Sequence, residues 1–233
     1  MSEADTHKKM IKTVAQALGD ELLKKVVFVG GCTTGLLITD DFSLEQVRHT
    51  QDVDLIIHVI GYAEWHQLQG QLRTKGFQDI INESAPICAM KLGELRVDFM
   101  PDDEKLLGFS NRWYQDALDT AQPYDLDDTL QISLVTPAYF IGTKLEAYQG
   151  RGQDDPLTSQ DIEDILNLFD GRESLIDELA ESPPELREYI AGSLHALLNN
   201  PAMDHAIQGT SQGDAGREQL MYKRIQAAIE LHK

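Results

Sequence analysis

The stretch RHTQDVDLII, residues 48–57, begins an apolar strand with two aspartates, Asp52 and Asp54. Residues two apart in a strand point to the same face, ~7 Å apart, because each residue rises ~3.3 Å. Two like charges so placed repel each other unless a cation lies between them, and hard carboxylate oxygens suit Mg²⁺. The pair therefore predicts a metal site at the end of a strand. Solvated or capping aspartates are the alternative interpretation.

A third carboxylate lies in the stretch ELRVDFMP, residues 94–101. Its apolar residues alternate with Arg96 and Asp98, so Asp98 belongs to the polar face of a strand that we expect to pair beside the first one. Three carboxylates would then converge on one edge. Such a group can hold two Mg²⁺ ions ~3.5–4 Å apart, the spacing used in phosphoryl transfer.

Upstream, the stretch VVFVGG, residues 26–31, predicts a short buried strand closed by a turn at Gly30 and Gly31. Thr33 and Thr34 follow, and the next residues predict the start of a helix. Backbone N–H groups and the helix dipole at such a place favour a phosphate. A tight turn explains the two glycines equally well.

Composition narrows the class of partner and the compartment. Thirty-nine acidic and 20 basic residues among 233 give a formal net charge of −19, which repels the phosphate backbone and makes duplex DNA an unlikely partner. Cys32 and Cys88 are too few for a disulfide scaffold, which favours a reducing interior. No segment resembles a signal peptide or a membrane span, so we expect a soluble, cytoplasmic protein without membrane association.

Periodicity predicts an α+β protein. An N-terminal helix is followed by strand, helix, strand, helix and a short strand meander, whereas the segment after Thr136 is helical in period and divided by Gly and Pro. Residues 101–122 are predicted to be mostly loop with a short helix. The sequence thus predicts a mixed sheet flanked by helices in residues 1–135 and a helical C-terminal domain in residues 136–233.

Taken together, VGGCTTGLLI, RHTQDVDLII and RVDFM resemble the nucleotidyltransferase superfamily typified by DNA polymerase β. That core carries a Gly-Gly turn, a D-x-D strand and a third acid on a later strand. The R-x-T-x-D-V-D form resembles the AbiEii/AbiGii toxin branch. The stretch TPAYFIGTKLEAYQGRGQDDPLTSQDIEDILNL is also similar to that branch, with a lysine on a helix, an arginine and a D-x-x-D helix. The resemblance covers about residues 26–170 and implies a nucleotidyltransferase-like sheet.

The resemblance also implies roles for individual residues. Asp52 and Asp54 would ligate two Mg²⁺ ions, and Asp98 would complete one metal site and deprotonate the acceptor hydroxyl. The residues that would contact the nucleotide are Gly30, Gly31, Thr33, Arg48, Lys144, Asp161 and Asp164, with Arg151 as a further candidate. Thr50 and Arg48 would order the loop before the carboxylates. The alternatives are a surface lysine at position 144, a surface ion pair at Arg48, and first-turn acids favoured by the helix dipole at positions 161 and 164.

The implied activity is transfer of a nucleoside monophosphate from an NTP to a hydroxyl acceptor with release of pyrophosphate. The acceptor is an RNA end such as that of tRNA, a protein or a small molecule, and the resemblance suggests a toxin–antitoxin or phage-defence component with an antitoxin as partner. The alternative is a catalytically silent binding module that acts through a protein partner. Gln160 stands where many relatives carry a basic residue, and the loop between Gly31 and Asp52 is long, which bears on substrate choice.

Overall fold

The computed structural model describes residues 2–80, 86–107, 111–151 and 155–231. The chain divides into two compact units: Met1–Thr33 with His49–Thr136, and Thr34–Arg48 with Pro137–Lys233. The boundary between residues 135 and 136 expected from the sequence stays a prediction. The units seen here differ from it because Thr34–Arg48 belongs to the second unit.

Seven strands in the described part of the chain form one mixed sheet, which lies in the first unit. In chain order they are β1 (Val26–Val29), β2 (Asp52–Ile57), β3 (Gln78–Asp79), β4 (Ala89–Leu92), β5 (Leu95–Pro101), β6 (Gln122–Asp127) and β7 (Leu130–Leu134). Their order across the sheet is β3-β4-β5-β2-β1-β7-β6. Strand β2 runs parallel to β5, and β1 runs parallel to β7, whereas the other neighbours are antiparallel.

The helices follow in chain order: α1 (Glu3–Leu23), α2 (Thr34–Leu37), α3 (Asp41–Glu45), α4 (Gly61–Thr74), α5 (Glu104–Leu107), α6 (Tyr114–Asp119), α7 (Pro137–Gly150), α8 (Gln160–Gly171), α9 (Leu175–Glu181), α10 (Pro184–Leu198), α11 (Ala202–Thr210) and α12 (Ala215–Glu230). In the first unit, α1 packs against β2 and β7, and α6 packs against β1 and β2. None of the helices in the described ranges has the length and apolarity needed to cross a membrane.

Helix α1 confirms the helix predicted at the N-terminus. Ser2 and Asp5 form a capping box that satisfies two of the first backbone N–H groups. The helical period ends locally at Gly19, which has φ 65° and ψ 170° and kinks the helix. The apolar stripe is buried, including Ile11, Val14, Leu18 and Leu22. Burial of this stripe is what holds α1 on the sheet.

On one side of β2 and β5, Val53, Leu55, Val97 and Phe99 are all fully buried. Because the side chains of a strand alternate between its two faces, Asp52, Asp54 and Asp98 share the opposite face, together with buried Ile56. A register slip of one residue would exchange the two faces and bring the carboxylates into the apolar layer.

Strand β6 has no counterpart in the sequence-based prediction. It contains Pro123 and two aspartates, and its pairing with β7 is irregular between Asp125 and Asp127. Proline and aspartate are depleted in strands, but an edge strand tolerates them because one side of its ladder is free. Since β6 is the last strand of the sheet, neighbouring β7 decides its conformation more than its own sequence does.

Hydrogen bonds in the second unit explain why residues 34–48 belong to it. The carbonyl oxygen of Gly171, at the end of α8, accepts bonds from the backbone N–H groups of Thr39 and Asp40 at 2.9 and 3.0 Å. A Cβ atom at Gly171 would lie 2.5 Å from the Cβ of Ser43, so only glycine permits this approach. From α12, the guanidinium of Arg217 donates to Asp40 and Ser43.

Candidate metal centre

Three carboxylates converge where β2 and β5 pair in parallel. The register places Asp54 beside Asp98 and Asp52 beside Arg96. Asp52, Asp54 and Asp98 each offer one oxygen, and these three atoms lie within 4.8 Å of one another. Asp98 is buried, and the other two are half-buried. The expectation that the strand of Asp98 pairs beside that of Asp52 and Asp54 is confirmed.

Gly30 determines the space available to Asp54. It ends β1, whose Val29 is the register partner of Asp54, and it has φ +75°. A Cβ atom there would lie 2.0 Å from the Oδ2 atom of Asp54 and 2.8 Å from its Cβ and Cγ atoms. Both the positive φ and the close approach therefore require glycine. The Gly30 turn thus packs directly against one of the three carboxylates.

The turn after Gly30 is closed by Thr33, whose backbone N–H and hydroxyl both donate to the Gly30 carbonyl, at 3.1 and 2.8 Å. The sequence predicts the start of a helix here. The structure shows a single 3₁₀ turn, Gly31–Thr33, followed by the four-residue helix α2. A macrodipole builds from aligned peptide units, so elements this short contribute little to anion binding. A phosphate at this place would therefore depend on hydrogen bonds from the backbone N–H groups of the turn rather than on a helix dipole.

Asp52 is held from the N-terminal side of β2. The hydroxyl of Thr50 donates to the Oδ1 atom of Asp52, and the backbone N–H of Thr50 donates to Nε2 of His7 at 3.3 Å. Since Nε2 accepts this bond, the His7 ring is neutral with its proton on Nδ1. Thr50 and His7 are both buried. The expected ordering role of Thr50 thus has a structural basis, and His7 supports it from α1.

Sequence reasoning assigned no role to His7. Its signal is periodicity, because His7 precedes Ile11 and Val14 by four and seven residues and so continues the apolar stripe of the first helix. A histidine in such a stripe is buried and needs a polar partner. The partner itself, the backbone of a residue more than forty positions away, has no local signal.

Asp98 is held by a bidentate ion pair with Arg96. The Nε atom of Arg96 lies 2.8 Å from Oδ1 of Asp98, and Nη2 lies 2.6 Å from Oδ2. The side chain of Arg96 is 43% exposed and that of Asp98 is 10% exposed. The hydrogen bonds that Arg96 donates to Asp98 raise the pKa of Arg96, and the charges of Asp98, Asp52 and Asp54 raise it further. Sequence reasoning placed Arg96 on this face but gave it no function.

Cys88 lies close enough to Asp98 and Asp54 for their negative charges to affect the pKa of its thiol. Burial, and then the negative charge of Asp98, raises the pKa of its thiol to about 12. The thiol therefore stays neutral at physiological pH, and Cys88 supplies no thiolate to the centre. Cys88 is thus an ordinary free, buried cysteine.

The donor set fits a hard divalent cation. Three carboxylate oxygens within 4.8 Å of one another are the ligand type that Mg²⁺, Mn²⁺ and Ca²⁺ prefer. Each carboxylate is also positioned by a neighbour, because Asp52 bonds Thr50, Asp54 packs on Gly30 and Asp98 bonds Arg96. Asp98 is already paired with the guanidinium of Arg96, so a metal ion that binds Asp98 has to share or displace this cation.

The other predicted site residues form a buried ionic cluster in the second unit. The ammonium of Lys144, on α7, lies 3.1 Å from Asp161 and 2.7 Å from Asp164, both on α8. Arg48 donates to both oxygens of Asp164 at 3.1 and 3.0 Å, and Arg151 donates to Asp161 at 2.8 Å. The structure thus brings four of the predicted nucleotide contacts together, along with Arg151.

Electrostatics holds this cluster in its charged form. Burial alone would lower the pKa of Lys144, but Asp164 and Asp161 raise it above its usual value. Burial alone would raise the pKa of Asp164, but Lys144 and Arg48 hold it below its usual value. The alternative of a surface lysine at position 144 is therefore wrong, since this side chain is buried and paired. Phosphate contact by Lys144 stays a prediction. To contact a phosphate, its ammonium would have to break an ion pair with Asp161 or Asp164.

No family model matches the chain, and no curated protein matches it either.

Proposed function

We propose that this chain is a Mg²⁺-dependent nucleotidyltransferase with the sheet arrangement of the DNA polymerase β-like superfamily. It transfers a nucleoside monophosphate from an NTP to a hydroxyl acceptor and releases pyrophosphate. The observation that carries the proposal is the convergence of Asp52, Asp54 and Asp98 on one face of two paired strands. The motif resemblance and the Gly30 turn packed against Asp54 support it further.

Each carboxylate has a distinct part in the proposed reaction. Asp52 and Asp54 lie two residues apart on β2 and hold the divalent ions from one strand. Asp98, opposite Asp54 on β5, completes one metal site and accepts the proton of the attacking hydroxyl. Divalent ions bound here would neutralise the negative charge on the attacking oxygen and on the departing pyrophosphate. The protein contributes by aligning the acceptor oxygen with the α-phosphate, which removes the entropy of bringing them together.

The triphosphate is assigned to the turn at Gly30, Gly31 and Thr33. A turn without side chains at its first two positions lets phosphate oxygens approach the backbone closely. The nucleotide contacts that the motif resemblance implies for Arg48 and Lys144, both in the second unit, stay a prediction. The acceptor remains an RNA end, a protein or a small molecule, and a protein partner such as an antitoxin belongs to the same proposal.

The test is a transfer assay with α-labelled ATP, GTP, CTP and UTP in turn, with total tRNA, cell protein and a panel of small hydroxylated molecules as acceptors. Label should move to one acceptor class in the presence of Mg²⁺ and stop in EDTA. The variant Asp54→Asn should lose transfer and keep its unfolding transition, because the change preserves size and removes one charge. Asp125→Asn, an exposed aspartate of the same sheet, should transfer label like wild type.

Thermal unfolding with each NTP and Mg²⁺ provides a readout that needs no acceptor. A nucleotide at about 100 times its Kd adds ~2.7 kcal/mol of stability, which corresponds to a rise of roughly 5–11 °C in Tm for a chain of this size. Transfer by Asp54→Asn at the wild-type rate would contradict the mechanism. Absence of both transfer and a Mg²⁺-dependent Tm shift would favour the binding-module alternative.

A further inference from the structure

Arg96 is the unusual member of the candidate metal centre, because it is a cation bound to a residue proposed to ligate cations. It lies on the same strand and face as Asp98 and is the register partner of Asp52. Its guanidinium uses two nitrogens for the two oxygens of Asp98, at 2.8 and 2.6 Å. A bidentate guanidinium–carboxylate pair is among the stronger ion pairs that proteins form.

The position of Arg96 affects any metal in two ways. Its positive charge repels a divalent ion at the neighbouring carboxylates. The pair also occupies one lone pair on each oxygen of Asp98, so that only the remaining lone pairs are open to a metal. At the same time Arg96 is 43% exposed, so its guanidinium has room to leave.

We propose that Arg96 is a built-in counter-ion of this centre, which neutralises Asp98 in the metal-free protein and must give up that carboxylate when a divalent cation binds. This inference rests on the proposed function for the identity of the metal centre. The exchange of one cation for another keeps buried Asp98 paired in both states. A carboxylate left without a cation at that depth would destabilise the fold.

The counter-ion role predicts that removing the charge of Arg96 strengthens metal binding. Arg96→Met keeps the length of the side chain and removes its charge, so Mn²⁺ titrated alone, without nucleotide, should bind at least ~10-fold more tightly. Arg96→Lys keeps the charge and should stay within ~3-fold of wild type. Free Mn²⁺ can be followed by electron paramagnetic resonance, which needs no enzymatic turnover.

Stability supplies a second readout that does not depend on affinity. In EDTA, Arg96→Met should unfold at a lower temperature than wild type, because Asp98 has lost its partner. Mn²⁺ should then raise the Tm of Arg96→Met by more than it raises that of wild type. If Arg96→Met does not fold, Arg96→Gln tests the same loss of charge with a side chain that can still donate a hydrogen bond to Asp98.

Two control variants separate the inference from the proposed function. Arg73→Met removes an equivalent bidentate pair, that with exposed Asp79, and should leave Mn²⁺ affinity within ~2-fold of wild type. Asp54→Asn should abolish binding and so assign the signal to the three carboxylates. Unchanged or weaker binding by Arg96→Met, with wild type binding normally, overturns the counter-ion role alone. No Mn²⁺ binding by any of these proteins overturns the metal centre and the counter-ion role together.

Discussion

Substituting alanine for Gly30 tests whether the turn after β1 positions the metal centre. Gly30 has φ +75°, and an added Cβ atom would lie 2.0 Å from Oδ2 of Asp54. Carbon and oxygen atoms in van der Waals contact lie more than 3 Å apart, so either the turn or Asp54 has to move. Because β1 and β2 are paired at Val29 and Asp54, we expect the carboxylate to be displaced while the sheet keeps its register.

The magnitude has two parts. The left-handed backbone disfavours alanine by about 1–2 kcal/mol, and the loss of glycine's freedom in the unfolded chain offsets this by roughly 0.4–1 kcal/mol. Overpacking against Asp54 adds about 1–3 kcal/mol. Gly30→Ala should therefore lower the free energy of unfolding by about 1–5 kcal/mol. Gly93→Ala is the matched control, because Gly93 has φ +62° and open space where its Cβ would lie.

The assay is urea unfolding of wild type and both variants, combined with Mn²⁺ titration of each. Gly93→Ala should lower the free energy of unfolding by no more than about 2 kcal/mol, since only the backbone effect applies. Gly30→Ala should be less stable than Gly93→Ala by about 1–3 kcal/mol, and only Gly30→Ala should bind Mn²⁺ more weakly. Equal stability and equal Mn²⁺ affinity of the two variants would refute the claim that Gly30 sets the position of Asp54.

Two further predictions concern charge. Lys144→Met leaves buried Asp164 paired with Arg48 alone and should lower the free energy of urea unfolding by about 1–3 kcal/mol. Lys12→Met, at a partly exposed pair, should lower it by less than about 1 kcal/mol. Similar losses in the two variants would argue against a buried ionic cluster. The hydrogen bond that protonated His58 donates to Asp102, at 2.5 Å, raises the pKa of His58. The contribution of this bond to stability is therefore complete below pH ~6.5 and is lost as pH rises through the folded-state pKa. Proton NMR titration should show a lower His58 pKa in Asp102→Asn, and an unchanged value would rule out that partner as the cause.

Secondary structure with a clear period could be predicted from the sequence. Strands β2 and β5 alternate apolar and polar residues, and their cores, Val53 with Leu55 and Val97 with Phe99, are buried as alternation requires. Strand β6 could not be predicted, since Pro123 and its aspartates contradict strand propensity and only pairing with β7 makes it a strand. The sequence also could not predict that residues 34–48 belong to the second unit, because this grouping depends on hydrogen bonds to Gly171 and Arg217, which are distant in the chain.

The shared face of Asp52 and Asp54 can be read from the sequence, because the two-residue period of a strand is a local property of the backbone. The same period puts Asp98 and Arg96 on one face of a second strand. Three other features are visible only in the folded chain: Asp54 lies beside Asp98, Arg96 bonds both oxygens of Asp98, and Lys144 is buried between two aspartates. Register and ion pairing between distant segments depend on which surfaces pack together, and that is settled by burial across the whole fold.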